Sequence, residues 1–237
     1  AMDEYEPYLI VRVDHERAHF IVAQLGSVQR TENMKLELRS EDWYDENVIA
    51  GLTSGVASRP TASRDRFEAR VAEHVERFYR DVAVHTQALC KQHQLRRVIV
   101  GGIAESAHAL RDLLGQENVI DILSVSMHDS PAQVLEKALP VAEGYERKLE
   151  AELVEEVIDL AKAGGRGALG RGKVKQAFGE GRVELLIVSF PPDDYKDIEE
   201  LTTKALEANS KIELVHGDAA DRLNGEGGVA ARLYYAY

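Results

Sequence analysis

Four arginines and two glycines in the first third of the chain have the types and spacing that point most directly to chemistry. From Ser58 to Arg70 there are four arginines and two acids, although the whole chain carries a formal net charge of −12. Guanidinium groups bind phosphate oxygens, and glycines allow close approach of a backbone. We therefore predict an RNA-binding site formed by Gly51, Gly55, Arg59, Arg64, Arg66 and Arg70. An ordinary solvated loop whose arginines cap the next helix is the alternative.

A glycine-rich segment before Lys173 is the second candidate. Its glycines match a dinucleotide-binding fingerprint and, less closely, a phosphate-binding P-loop: Gly165, Gly167, Gly170 and Gly172. Both motifs need a preceding strand, whereas the sequence predicts a helix there. A P-loop also needs a serine or threonine after the lysine to hold magnesium, and Val174 occupies that position. We therefore predict a flexible loop between two helices and no nucleotide cofactor.

The histidines and the single cysteine form no recognisable metal-binding or catalytic set. His15 and His19 are four residues apart but flank a predicted turn, and His74 and His85 are separated by three helical turns. A metal site needs three or four converging ligands. Cys90 ends an amphipathic helix, where cysteine more often packs in the core than acts as a nucleophile. We predict no metal and no catalytic residue.

Composition narrows the class of protein. Hydrophobic residues make up 44% of the 237 residues, which is enough for a packed core. An excess of 41 acids over 29 bases excludes a general nucleic-acid coat protein, so any RNA contact must be local. One cysteine cannot form an internal disulfide and is typical of a reducing compartment. No apolar run approaches a membrane span, so we expect a soluble, cytoplasmic protein with no membrane contact.

Apolar periodicity predicts two α/β domains, at residues 7–130 and 131–237. In the first, alternating residues predict a strand meander, and a loop without apolar periodicity precedes a long amphipathic helix from Phe67 to Cys90. A strand–helix–strand unit, whose short helix runs from Ala104 to Leu114, completes this domain and implies parallel pairing. The predicted strands are 8–13, 18–23, 34–38, 98–102 and 119–125. The second, smaller domain has a charged helix to Ala163, two shorter helices, and strands at 183–188, 211–215 and 229–234.

The order of these elements resembles the central and C-terminal domains of archaeal and eukaryotic class I release factors and Pelota. Arg97-Val98-Ile99-Val100-Gly101-Gly102 is similar to the strand and glycine turn after that family's long helix. Residues 170–188 resemble a helix and strand of its third domain, and residues 227–235 resemble its closing strand. The resemblance covers nearly the whole chain and implies a ribosomal partner (rRNA or tRNA), with a translational GTPase as a second candidate partner.

Two departures from the family pattern limit what the resemblance implies. Release factors carry Gly-Gly-Gln at the tip of the central-domain loop, and no glutamine lies between Leu52 and Ser63 here. The family's N-terminal domain has no counterpart in the sequence, which is expected either of a two-domain piece or of a divergent, bacterial-type relative. We interpret the chain as a ribosome-associated translation factor in stalling, rescue or dormancy. A peptidyl-tRNA hydrolase with a different catalytic loop and a protein-interaction module that kept the fold are the alternatives.

Overall fold

The computed structural model describes residues 7–24, 26–36 and 60–236, with side chains of the helix that begins at Pro60 described from Ala69 onwards. Within these ranges the chain forms nine strands and six helices. It divides into two compact units, of which one is Pro7–Val141 and the other begins at Ala142. The predicted α/β class is confirmed. The predicted domain boundary is residue 131, where a helix begins. The two units separate within that same helix, after Val141.

The first unit contains a five-stranded mixed sheet in the order β3-β2-β1-β4-β5. Strands β1, β2 and β3 form the predicted antiparallel meander, while β4 and β5 run parallel to β1. The third strand begins and ends earlier than the predicted 34–38. The strands are β1 (Tyr8–Val13), β2 (Arg17–Gln24), β3 (Ser27–Lys35), β4 (Val98–Gly102) and β5 (Val119–Leu123).

Three helices accompany this sheet: α1 (Pro60–His93), α2 (Ala104–Leu114) and α3 (Pro131–Lys162), the last of which continues into the second unit. Alternate residues of β1 pack with buried side chains of α1 and α2 in one hydrophobic cluster. The end of β4 lies so close to β1 that a Cβ on Gly102 would stand 2.2 Å from the carbonyl oxygen of Val13. Gly102 also has a φ of +108°, which disfavours any other residue.

The second unit is a four-stranded sheet, in the order β6-β9-β7-β8, between two helical layers. Two helices pack on one face, and α3 and a third helix pack on the other. Its elements are β6 (Gly167–Leu169), α4 (Gly170–Gly179), β7 (Val183–Ser189), α5 (Tyr195–Glu207), β8 (Lys211–Val215), α6 (Gly217–Asn224) and β9 (Val229–Leu233). Strands β7 and β8 are parallel, and β9 is antiparallel to β7 and β6.

The glycine-rich segment differs from its prediction. Residues 167–169 form strand β6, which pairs with β9, and α4 begins directly afterwards at Gly170. The prediction of a flexible loop between two helices was therefore wrong at residues 167–169, whereas the prediction that a helix precedes the glycine-rich segment is confirmed, because α3 ends at Lys162. Gly167 is needed there because a Cβ would lie 2.5 Å from the backbone nitrogen of Ala161 in α3. The second argument, that Val174 replaces the magnesium-binding hydroxyl of a P-loop, is unaffected.

Helix α6 was not predicted, and its N-terminus is capped from a distant part of the sequence. His216 precedes the helix and forms no side-chain cap of its own. Instead the carboxylate of Glu150, on α3, accepts hydrogen bonds from the backbone N–H of His216 at 2.8 Å and from Arg147 at 2.6 Å. Glu150 is 4% exposed. This buried carboxylate therefore satisfies an N–H group at the start of α6.

Candidate nucleic-acid interface

The structure places the predicted RNA-binding residues unequally. Gly51, Gly55 and Arg59 lie outside the described residues. Arg64 and Arg66 fall within α1, because this helix begins at Pro60, which suits a first helical turn, and not at Phe67 as predicted. Arg70 is exposed on α1. Whether these six residues contact RNA together is therefore still a prediction.

Helix α1 is anchored along only part of its length. It has 34 residues, or about 51 Å at 1.5 Å per residue. Among its described side chains, none from Ala69 to Arg77 is buried, and the first buried residue is Phe78. We call the segment Pro60–Arg77 the stalk. The stalk overlaps the arginine-rich segment Ser58–Arg70 and contains three of its four arginines, Arg64, Arg66 and Arg70.

The remainder of α1 is held firmly by apolar packing. Phe78, Val82 and Leu89 are buried in the cluster that includes alternate residues of β1. These positions recur at three- and four-residue spacing and so share one face of the helix. A rigid base of this kind fixes the direction in which the stalk leaves the sheet, and thus positions whatever the stalk carries.

A short polar chain adds to this anchoring. The hydroxyl of Tyr79 lies 2.8 Å from Oγ of Ser106 on α2 and 2.9 Å from Nδ1 of His15, in the turn between β1 and β2. Burial raises the pKa of Tyr79, so the phenol keeps its proton at neutral pH. Sequence reasoning missed this set, since a tyrosine in an amphipathic helix gives no sign of its distant partners.

Charge along the exposed side of α1 is not uniformly basic. Three exposed cations lie near one line along the helix, because successive members are seven and fourteen residues apart: Arg70, Arg77 and Lys91. From residue 71 to 81, however, two arginines stand among three acids, and Arg80 pairs with Glu76 at 3.1 Å. The excess of arginine over acids is confined to Ser58–Arg70, where there are four arginines and two acids.

A buried arginine in β1 also escaped the sequence analysis. Arg12 is 3% exposed and donates hydrogen bonds to the carbonyl oxygens of Ser126 at 2.9 Å and Asp129 at 2.7 Å. Burial lowers the pKa of Arg12, while the charge of Asp129 raises it. This guanidinium fastens the segment after β5 to the sheet and is not exposed to bind phosphate. The sequence feature that could have revealed this buried arginine is its position within an otherwise apolar strand.

The basic residues around the start of α4 are largely matched by acids. Arg171 lies 3.1 Å from Asp197, and Lys175 lies 2.9 Å from Glu200, both on α5. Lys173 is exposed, as is Arg166 before β6. These pairs join two helices of the second unit, which makes them a poorer phosphate site than the stalk.

Neither a metal site nor a membrane span is found in the described part of the chain. Across residues 7–24, 26–36 and 60–236, no three His, Cys, Asp or Glu side chains converge to hold a metal ion. Within the same ranges no helix has the length and apolar character to cross a bilayer.

Comparison with known proteins identifies the family. Residues 1–143, more than half of the chain, match the family described as bacterial archaeo-eukaryotic release factor family 10. The chain belongs to this family. The resemblance to release factors and Pelota predicted from the sequence is thereby confirmed.

Relatives outside the family model share the fold. A Pelota homolog of Pyrococcus abyssi (strain GE5 / Orsay) is 25% identical over 250 residues, which cover 97% of this chain and 70% of the relative. Among solved structures, a ribosome-bound archaeal Pelota studied with ABCE1 has a TM-score of 0.63 at 18% identity, over 96% of this chain and 61% of that one. Saccharomyces cerevisiae Dom34, described as a translation termination-like factor interacting with Hbs1, has a TM-score of 0.61 at 13% identity, over 97% and 63%.

This chain corresponds to only part of each solved relative. The chain spans less than two thirds of the two solved structures. At identities of 13% and 18%, the likeness to them is one of fold.

Proposed function

We propose that this protein is a ribosome-associated translation factor that acts in stalling, rescue or dormancy without Gly-Gly-Gln-dependent peptide release. Membership of the release factor family supports the proposal, as do structural neighbours described as ribosome-bound and as translation termination-like. Gly-Gly-Gln does not occur anywhere in the 237 residues. Ribosomal RNA or tRNA is the proposed partner.

One observation carries the RNA-binding part of the proposal. The buried residues of α1 begin at Phe78, and its stalk, without a buried residue among its described side chains, contains Arg64, Arg66 and Arg70 of the most arginine-rich segment of an acidic chain. Phosphate contacts supply most of the affinity of nonspecific RNA binding, and the acidic remainder of the surface repels phosphate. The proposed contact set is Gly51, Gly55, Arg59, Arg64, Arg66 and Arg70.

A translational GTPase is a further proposed partner, by analogy with Dom34, which is described as interacting with Hbs1. Since ribosomes are the proposed binding site, the cytoplasm is the proposed location.

Ribosome cosedimentation with matched charge variants tests the proposal. Changing Arg59, Arg64, Arg66 and Arg70 together to alanine should abolish cosedimentation, because the phosphate contacts are lost. The matched control removes four exposed cations elsewhere: Arg166, Lys173, Lys196 and Lys211. Both variants change the net charge equally, so retained binding in the control assigns the loss to the stalk region. Equal binding by the wild type and the first variant would refute the proposed interface.

A further inference from the structure

A cavity of about 370 Å³ lies at the opposite end of α1 from the stalk. The ends of α1 and α2 and the beginning of β4 enclose it, and Leu95, Val98 and Leu114 form its apolar walls. Each of these three residues is less than a tenth exposed. The volume falls within the usual range of small-molecule sites, about 300–1,000 Å³. It lies about 30 Å along the helix from Arg70, at 1.5 Å per residue over twenty residues.

Two carboxamides provide hydrogen-bonding groups in this cavity. Gln87 and Asn118 both line the cavity, and both are exposed. The amide nitrogen of Asn118 donates to the carbonyl oxygen of Leu114 at 2.8 Å and to the carboxylate of Glu117 at 3.3 Å, so its amide oxygen is the group that can accept from a ligand. Carboxamides pair with the edges of nucleobases, which present donors and acceptors side by side. Apolar walls with carboxamides at the edge therefore suit a flat heteroaromatic ring.

One cation at the cavity offers a contact for an anion. Arg96 is exposed among the lining residues, none of which is acidic, while the carboxylate of Glu117 lies 3.3 Å from the amide nitrogen of Asn118. In the sequence no acid occurs between Asp81 and Glu105. Helix ends normally repel anions through unpaired carbonyl groups. Here the carbonyl of Cys90 already accepts from the N–H of Leu95 at 2.8 Å, and that of Leu114 accepts from Asn118.

We propose that this cavity binds a single nucleotide, with the base between the apolar walls, its edge on Gln87 and Asn118, and its phosphate on Arg96. A free mononucleotide and one unstacked nucleotide of single-stranded RNA share this chemistry. Only the RNA source rests on the proposed function, because a free mononucleotide could bind whether or not the protein contacts the ribosome.

Cys90 provides a direct measurement, since it lines the cavity and is the single cysteine of the chain. Its alkylation by iodoacetamide can be followed by intact mass. Burial raises the pKa of the Cys90 thiol, so the reaction is run at a pH of about 8.5. AMP or CMP at up to about 5 mM should slow alkylation at least about fivefold, saturably, whereas adenosine should bind about tenfold more weakly without the charged contact. Protection by AMP indicates a free nucleotide, and protection only by a single-stranded RNA hexamer indicates RNA.

Three variants separate the site from general effects. Arg96→Ala should weaken AMP binding about tenfold in calorimetry but leave adenosine binding unchanged. Gln87→Trp, an exposed substitution that the fold can accept, should fill the entrance and abolish both. Lys173→Ala, in the glycine-rich segment, should change neither. Absence of saturable protection by AMP, CMP and the hexamer would overturn the proposal, as would binding that survives both Arg96→Ala and Gln87→Trp.

Discussion

Removing one hydroxyl from the base of α1 should measurably loosen the anchor of the stalk. In Tyr79→Phe, Oγ of Ser106 loses its partner at 2.8 Å, and Ser106 is 0% exposed, so water cannot replace it without opening the structure. An unsatisfied buried hydroxyl costs about 1–3 kcal/mol. If the cost is about 2 kcal/mol, the equilibrium constant for local opening of this part of the first unit should rise about thirtyfold.

Native-state hydrogen exchange of amides in α1 and α2 is the appropriate assay, because it reports on this unit without requiring both units to unfold together. His15→Ala is the control, since His15 is exposed and its loss should cost less than about 0.5 kcal/mol. The double variant Tyr79→Phe/Ser106→Ala should cost about 1 kcal/mol less than the sum of the two single variants. Additive costs, or a Tyr79→Phe variant as stable as the wild type, would refute the role assigned to this chain.

Three further outcomes are expected. Gly102→Ala should destabilise the first unit by about 3 kcal/mol in the same exchange assay, because φ is positive and the new Cβ would meet the Val13 carbonyl. Gly26→Ala is the control and should cost about 1 kcal/mol, because the space around Gly26 is open. Contacts with Lys175 and, second, with Lys204 lower the pKa of Glu200 to about 2, so this network should stabilise the fold above pH 4.5 and weaken as the pH falls towards 2. NMR titration of Lys175→Ala should show the pKa of Glu200 rising part of the way back towards 4.5, because Lys204 remains. Stalled ribosome–nascent-chain complexes incubated with the protein should keep their peptidyl-tRNA intact.

For each of these three predictions, one result would contradict it. Equal costs for the two glycine variants would show that β4 does not approach β1 as closely as the structure has it. An unshifted Glu200 in the wild type would mean that its ion pairs do not persist in solution. Peptide release that disappears when one serine or threonine between residues 53 and 63 is changed would favour the hydrolase alternative, in which another polar side chain orients the attacking water.

Local sequence patterns predicted those elements whose residues are buried in regular alternation or at helical spacing. All six residues of Tyr8–Val13 are buried, and the strand was predicted at its observed bounds. Helix α2 was likewise predicted at Ala104–Leu114. In each case the apolar pattern of the segment itself contains the information, since burial of that pattern against a core is what stabilises the element.

Elements that depend on distant partners were missed. The N-terminus of α6 is capped by Glu150, which is 66 residues from His216 in sequence. Strand β6 has three residues, and its pairing with β9 and the close approach of Gly167 to α3 define it. The polar contacts of Arg12 and Tyr79 are also long-range. Apart from the single arginine within the apolar strand β1, none of these features can be recognised from a short window of sequence.

The candidate interface could be predicted in charge but not in geometry. Counting arginines located the basic segment, and the structure added that α1 starts earlier and that no side chain from Ala69 to Arg77 is buried. How far a helix extends past its sheet depends on the sheet, so amphipathic periodicity alone could not show it.

The salt dependence of ribosome binding tests the central claim most directly. Each phosphate that a cation neutralises contributes about 0.7–0.9 to the slope of log K against log salt concentration. If Arg59, Arg64, Arg66 and Arg70 contact phosphates, their combined replacement by alanine should reduce that slope by about 3, four times this contribution. The control lacking Arg166, Lys173, Lys196 and Lys211 should keep the wild-type slope. Identical slopes for the wild type and the first variant would contradict the assignment of RNA binding to the stalk region.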